Sequence, residues 1–401
     1  MADKTIEHNS LKIKALWVCS WYPSRKFSNL ATFIERQAKA VSILSNITIL
    51  YVVGDTVSDF ETNIEQGDFL IVRVYFPDTS NRLLKIIRQF RAQLIGYKAV
   101  LRLVGKPHIV HVQSLFPAAT FALYLDFFKK IPFVVTEHYS GYTKPKEFNK
   151  QKLRKIFTRI VLRRAKVVLA LSNYFIQALH DLGLTAQQFR VVFNVVDTEL
   201  YKPVTTERLQ TPVFQFTNLS LFNDRHKNIT GIIRSTAKLA KHRQDFVVNF
   251  AGKGDDKDII VRLADSLGVL NRFVILKGYL TEVGVAELLQ KSDCLIMFSN
   301  IESQSVVTLE AASVGLPIIA TETGGIGDRV TPETGILIDI GDEAALVEAM
   351  NYMIDNHNKY DPSVTRSKIV EKCSVEVVGQ AIVSVYEEVL ARDEYVQYCR
   401  R

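Results

Sequence analysis

The segment SNIESQSVVTLEAASVGLPIIATETGGIG, from Ser299 to Gly327, packs several structural signals into one short span. An apolar run, Cys294 to Phe298, leads into it and ends in a polar loop that carries Glu302. A helical pattern begins near Ser305 and stops at Gly315, with Pro317 just beyond. Glycine accepts the left-handed backbone that closes a helix, and proline cannot extend one. A second apolar run, Pro317 to Thr321, reaches Gly324-Gly325-Ile326-Gly327. The order is strand, loop with an acid, helix with a second acid, strand, glycine loop, as in a parallel α/β sheet.

That order makes an anion site. The first N–H groups of a helix have no partner within it, and the macrodipole adds positive potential there, so phosphate is attracted. Ser303 or Ser305 stands where a capping hydroxyl belongs. Glu310 falls about one and a half turns inside the helix at 3.6 residues per turn. A carboxylate there accepts hydrogen bonds from sugar hydroxyls beside the phosphate. Glu302, on the loop, is placed to reach a second ring. A diphosphate between two polyols is a nucleotide sugar. The plain alternative is a crossover with two solvated glutamates, and the residues alone leave it open.

A chain of 401 residues is long enough for two cores. Its hydrophobic fraction of 47% is ample for both. No apolar run reaches the roughly 18–20 residues of a membrane helix. The opening MADKTIEHNSLKIK has no apolar signal-peptide core, and Cys19, Cys294, Cys373 and Cys399 form no C-x-x-C pair. A reduced, cytoplasmic protein is therefore expected. The net charge of +8 favours anionic partners. It gathers in two stretches of the first half: Leu83 to Lys106, which also holds Ile86, Ile87 and Phe90, and Lys144 to Lys166. A basic amphipathic helix can lie on an anionic membrane, so a peripheral place on the inner membrane face is expected; a solvated face is the alternative. No nucleic-acid module is present.

Both halves alternate strand and helix patterns. Strands are expected at 15–20, 47–53, 70–76, 109–113, 133–136, 167–171 and 191–195, then at 213–217, 246–250, 274–276, 295–298, 318–321 and 336–338. Most are continuous apolar runs, as in strands covered on both faces. The polar connector from Thr198 to Thr211 is the expected hinge. The triplet Asp256-Lys257-Asp258 matches a D-x-D metal motif but reads as the acidic start of a helix, so no metal is expected.

The opening segment resembles the E-x7-E retaining glycosyltransferases of family 4 type, also called glycosyl transferases group 1. Ser299, Glu302, Glu310, Ala311, Gly315, Pro317, Gly324 and Gly325 all fall on that pattern. The resemblance implies the GT-B fold, two doubly wound Rossmann-like domains facing across a cleft. It places an acceptor-side domain over residues 1–200, a nucleotide-sugar domain over 201–378, and a last helix, 379–401, crossing back onto the first. It implies His138, ending Thr136-Glu137-His138, as a contact near the reacting carbon; on its own residues His138 could equally be a loop cap. Lys227 matches the lysine that meets the donor diphosphate, in a loop where the family arginine falls on Leu221 and Arg225 is the possible substitute. With Glu302, these make the expected catalytic set His138, Lys227 and Glu302. Donor contacts are expected from Glu310, from the helix start Gln304, Ser305 and Val306, and from Gly252, Gly278, Tyr279 and Arg225.

The loop after the first strand departs from the pattern. In place of a Gly-Gly pair it has Pro23-Ser-Arg-Lys-Phe-Ser-Asn-Leu30, then Thr32-Phe33-Ile34-Glu35-Arg36-Gln37-Ala38. The implied activity is retaining, metal-independent transfer of a sugar from a nucleotide-diphosphate sugar to a glycan or lipid-linked acceptor, with no cofactor, in bacterial surface polysaccharide assembly. An epimerase or hydrolase on the same fold, and a non-catalytic nucleotide-sugar binder, are the alternatives.

Overall fold

The computed structural model describes residues 12–28, 30–204, 213–302 and 304–399, with side chains through 392. Residues 205–212, much of the expected hinge, and Ser303 lie outside the described residues.

The first domain is an eight-stranded sheet of β1 (Lys14–Cys19), β2 (Asn46–Asp55), β3 (Glu61–Gln66), β4 (Leu70–Pro77), β5 (Ile109–Gln113), β6 (Phe133–Glu137), β7 (Val168–Ala170) and β8 (Phe189–Val191). Its order is β3-β4-β2-β1-β5-β6-β7-β8. All pairs are parallel except β3 on β4. The strands carry two apolar faces because helices cover both sides. In β1, Leu16 and Val18 belong to one core cluster, whereas Ala15, Trp17 and Cys19 belong to another.

The second domain is a parallel sheet of β9 (Phe214–Leu219), β10 (Phe246–Ala251), β11 (Val274–Gly278), β12 (Cys294–Met297), β13 (Ile318–Thr321) and β14 (Gly335–Ile338). Its order is β11-β10-β9-β12-β13-β14. This is the Rossmann order, in which the strand sequence reverses between β9 and β12, and ligands bind beyond the carboxyl ends of the strands at such a switch point.

Two elements differ from expectation. β3, Glu61-Thr-Asn-Ile-Glu-Gln66, is exposed along its whole length and holds to β4 by antiparallel pairing. An edge strand needs no apolar face, and its charges discourage pairing with other chains. The strand expected at 191–195 is instead Phe189–Val191. Beyond it the backbone turns to the second domain: Asn194 N–H donates to Gln304 Oε1 at 2.8 Å and Val196 N–H to Cys373 O at 2.8 Å.

The helix Val375–Cys399 returns to the first domain, where Val378, Ile382, Val385 and Tyr386 join the cluster of Trp17 and Val41. Gly379 permits close packing there, since a Cβ would lie 2.6 Å from Ala40 O. Trp17 Nε1–H donates to the Tyr386 hydroxyl at 3.0 Å, and that hydroxyl meets His111 Nδ1 at 2.6 Å. Burial, then His138, pushes the His111 imidazole down to about 3, so it is neutral and structural.

Candidate active site

The helix Val306–Val314 sits at the switch point, following β12. Ser305 caps it by accepting from Thr308 N–H, and Gly315 closes it at φ 88°. Glu302 stands on the loop just before, 7% exposed. It accepts from Ser299 Oγ at 2.9 Å and from Lys227 Nζ at 2.5 Å. Lys227 arrives from the loop after β9, the other strand of the switch point, on the short helix Asp224–Lys227. A lysine and a carboxylate 75 positions apart are thus joined by strand order alone.

The glycine loop closes over Glu302. Gly324 has φ 61°, and a Cβ on it would lie 2.3 Å from Glu302 O. Gly325 has φ 78°, and its Cβ would lie 2.6 Å from Ser172 Oγ of the first domain. Only glycine fits positions that combine this backbone with such close approach.

Glu310 is buried on the next turns of the helix. Its Oε1 accepts from Arg36 Nη1 at 2.7 Å, and Arg36 Nε donates to Glu282 Oε1 at 2.7 Å. Burial pushes the Glu310 carboxyl up, while Arg36 and the Tyr201 hydroxyl pull it down. The Arg36 contact was not foreseen. Arg36 belongs to the first-domain helix Thr32–Ser42, and its partner is 274 positions away. Nothing local singles it out, since the same amphipathic helix also carries Glu35 and Lys39.

The side chain of Gln304 is taken up between the domains: Nε2 donates to Leu171 O at 2.6 Å while Oε1 accepts from Asn194 N–H. Only its backbone is left for a donor. Val306 stands half-buried in the first turn. Gly252 has φ 155°, with a Cβ position 1.8 Å from Ser220 O, so the loops after β10 and β9 touch backbone to backbone. Gly278 follows at the end of β11, and the neighbouring Tyr279 ring is exposed with Lys253 Nζ 4.2 Å from its centroid. Leu221 and Arg225 are both exposed, and Asn300 Nδ2–H donates to Arg225 O at 3.2 Å. Asp256 accepts from Asp224 N–H at 2.7 Å, supporting the lysine loop.

His138 directly follows β6 in the first domain and is buried. Its Nε2 meets Gln113 Oε1 at 3.0 Å, and its ring lies 4.7 Å from that of Phe33. Burial pushes the imidazole down to about 3, so it is neutral, with Nε2–H donating to Gln113. Nδ1 is buried without a partner among the described residues. The Glu137 carboxylate fixes this turn by accepting from the N–H groups of Leu115, His138 and Tyr139. Lys227, Glu302 and Glu310 therefore come together on the second domain, with Gly252, Gly278 and Tyr279 at neighbouring strand ends. His138 lies in the first domain, its ring against that of Phe33. Arg329 was also not foreseen: its guanidinium nitrogens are buried without partners among the described residues, within electrostatic range of Glu302.

Residues 51–200 match Glycosyltransferase Family 4, and residues 222–368 match Glycosyl transferases group 1. The N-acetyl-alpha-D-glucosaminyl L-malate synthase of Bacillus anthracis is 24% identical over 245 residues, 59% of this chain and 63% of that protein. The chain thus spans less than two thirds of that relative. Among solved structures, the sucrose-phosphate synthase of Thermosynechococcus elongatus superposes with a TM-score of 0.75 at 16% identity, over 95% of this chain and 100% of the other. Anabaena HepE in complex with UDP and glucose gives 0.71 at 17% identity, over 94% and 99%. These likenesses show the fold, GT-B. The two family matches together take in well over half of the sequence, with Lys227, Glu302 and Glu310 inside the second, and the chain belongs to the glycosyltransferases, with a family 4 first domain and a group 1 second domain.

Proposed function

We propose that the protein transfers a sugar, with retention at the anomeric carbon, from a nucleotide-diphosphate sugar to a glycan or lipid-linked acceptor. The observation that carries this reading is the placement of Lys227 and Glu302 at the start of a capped helix, with Glu310 further along the same helix. The donor diphosphate lies against the helix start and Lys227, and Glu310 receives the ribose hydroxyls. The acceptor oxygen bonds to the anomeric carbon as the bond from that carbon to the diphosphate breaks. The electron pair leaves with the diphosphate, which takes the acceptor proton on the same face. Lys227 and the helix start stabilise the charge that develops there. Neutral His138 and Glu302 orient the sugar. UDP bound to HepE supports a nucleotide donor by likeness of fold.

A second observation bears on the acceptor. The first turns of the helix Arg82–Leu103 expose Leu83, Ile86 and Ile87 among Lys85, Arg88 and Arg91, and the helix Lys152–Arg164 exposes Leu153 and Ile156 among cations. No described helix is long and apolar enough to cross a membrane. Apolar side chains set among cations suit an anionic membrane surface, where each Lys or Arg adds about 1 kcal/mol. This favours a lipid-linked acceptor, as in bacterial surface polysaccharide assembly.

A thermal-shift screen of nucleotide sugars tests the donor, because a ligand of the folded state raises the melting temperature. The stabilising donor is then incubated with and without acceptor fractions. Transfer that requires the acceptor is expected. Conversion of the donor without acceptor would instead indicate an epimerase or hydrolase, and stabilisation without conversion a binding protein.

A further inference from the structure

We infer that Arg36 is a positioning residue that competes with the donor's ribose for Glu310 and thereby ties donor binding to the contact between the domains. The inference rests on the proposed role of Glu310 as ribose acceptor. Arg36 is a first-domain residue, yet two second-domain carboxylates, Glu310 and Glu282, hold its guanidinium by different nitrogens. Its side chain is 18% exposed, that of Glu310 6% and that of Glu282 57%. One partner is therefore deep in the site and the other at its rim. The same helix places Phe33 over His138 and brings Gln37 Nε2 to Asn194 Oδ1 at 3.4 Å. This face of the helix thus meets the candidate site at three points.

A carboxylate has a limited set of lone pairs, and a ribose diol engages both of its oxygens. Arg36 already donates to Oε1 of Glu310. Ribose binding must displace or share that bond. Glu282 offers the arginine a place to remain while Glu310 changes partner, since it grips the opposite edge of the guanidinium. Glu282 opens the helix that follows Gly278 and Tyr279, so this exchange takes place beside two of the expected donor contacts. Competition for one acceptor is a coupling between two equilibria, and it is reciprocal. Donor binding loosens the Arg36 contact, and the Arg36 contact weakens donor binding. When Arg36 is lost, the donor binds more tightly but the first domain loses its hold at the site.

Calorimetric titration of UDP, GDP, ADP and dTDP into the full chain identifies the nucleotide, which is then titrated into variants. Arg36→Gln is expected to lower its Kd by roughly five- to tenfold, within the usual range of such coupling, and to lower kcat with the corresponding donor. Arg36→Lys, which keeps the charge but not the fork, should fall between wild type and Arg36→Gln. Glu282→Gln changes an exposed carboxylate and leaves the fold intact. It should shift the Kd the opposite way, weakening binding severalfold, because the displaced arginine loses its second partner. Unchanged or weaker binding by Arg36→Gln overturns the inference, as does tighter binding by Glu282→Gln. If wild type binds a nucleotide but the variants match it, only the inference falls. If wild type binds none of the four, the ribose role of Glu310 falls and the inference with it.

Discussion

Lys227 and Glu302 meet as an ion pair in which both side chains are largely buried. On the proposed reading, a donor diphosphate at the helix start draws Lys227 away from Glu302 and leaves Ser299 Oγ as the remaining donor to that carboxylate. The chemistry assigned to these residues makes Lys227→Ala and Glu310→Ala the informative changes. Each is expected to lower transfer at least about 100-fold, the scale of losing one transition-state donor or a major donor anchor, in assays of sugar incorporation. Near-normal turnover in both removes the assignment. His138 makes a different prediction. Its folded pKa, about 3, lies below the ordinary 6.5. The unfolded chain therefore binds more protons between those values. The stabilisation from keeping this ring neutral is complete above about pH 6.5 and is lost as pH falls toward 3, at up to about 1.4 kcal/mol per pH unit. His138→Gln, which keeps a donor for Gln113 and cannot take a proton, should flatten the acid limb of a denaturant-melt pH series. His111, neutral for the same reason, keeps its own share of the slope.

The strand–helix–strand element around Glu302 depends on backbone as much as on side chains. Gly324→Ala would drive a Cβ toward Glu302 O, backbone that cannot rotate away, at a positive φ. It is expected to destabilise the protein by about 1–3 kcal/mol and to abolish most transfer, read by melting temperature and turnover. A variant that keeps both would show that the loop does not pack on Glu302 as described. This element was legible in the sequence because its signals are local: an apolar strand, a capping serine, a stop glycine and a glycine pair. Most strands of both sheets were legible for the same reason, since most are apolar runs buried on two faces; β8, the half-buried Phe189–Val191, was misplaced by two residues. β3 was not, because Glu61 to Gln66 is polar and exposed and its structure comes from pairing with β4. The Arg36 contact was not, because it depends on how the two domains face each other. The side chain of Gln304 reads in sequence as part of the helix start, but distant backbone on the first domain claims it.

The two domains are joined at more than the switch-point site. The helix Val375–Cys399 ties the end of the chain to β1 and β5, where Trp17 and His111 both meet the Tyr386 hydroxyl. Tyr386→Phe leaves the buried Trp17 N–H and His111 Nδ1 without that hydroxyl. The expected loss is about 1–3 kcal/mol per unsatisfied group, measured by denaturant melt. An unchanged stability would mean that the helix is held by its apolar face alone. The exposed cationic and apolar side chains of the first domain predict binding to anionic vesicles that weakens as salt rises. Co-sedimentation with phosphatidylglycerol vesicles checks this, and Ile86→Glu with Ile87→Glu should reduce it. Failure to bind at low salt would remove the support for a lipid-linked acceptor without touching the donor site.

The donor site is the central claim, and calorimetric titration of the nucleotide sugar selected by thermal shift tests it most directly. Wild type is expected to bind one nucleotide sugar, with the affinity at least about tenfold weaker in Lys227→Ala and in Glu310→Ala, as for the loss of a charge-assisted hydrogen bond at each residue. Binding of equal strength in wild type and both variants, or no binding of any nucleotide sugar to wild type, would contradict it.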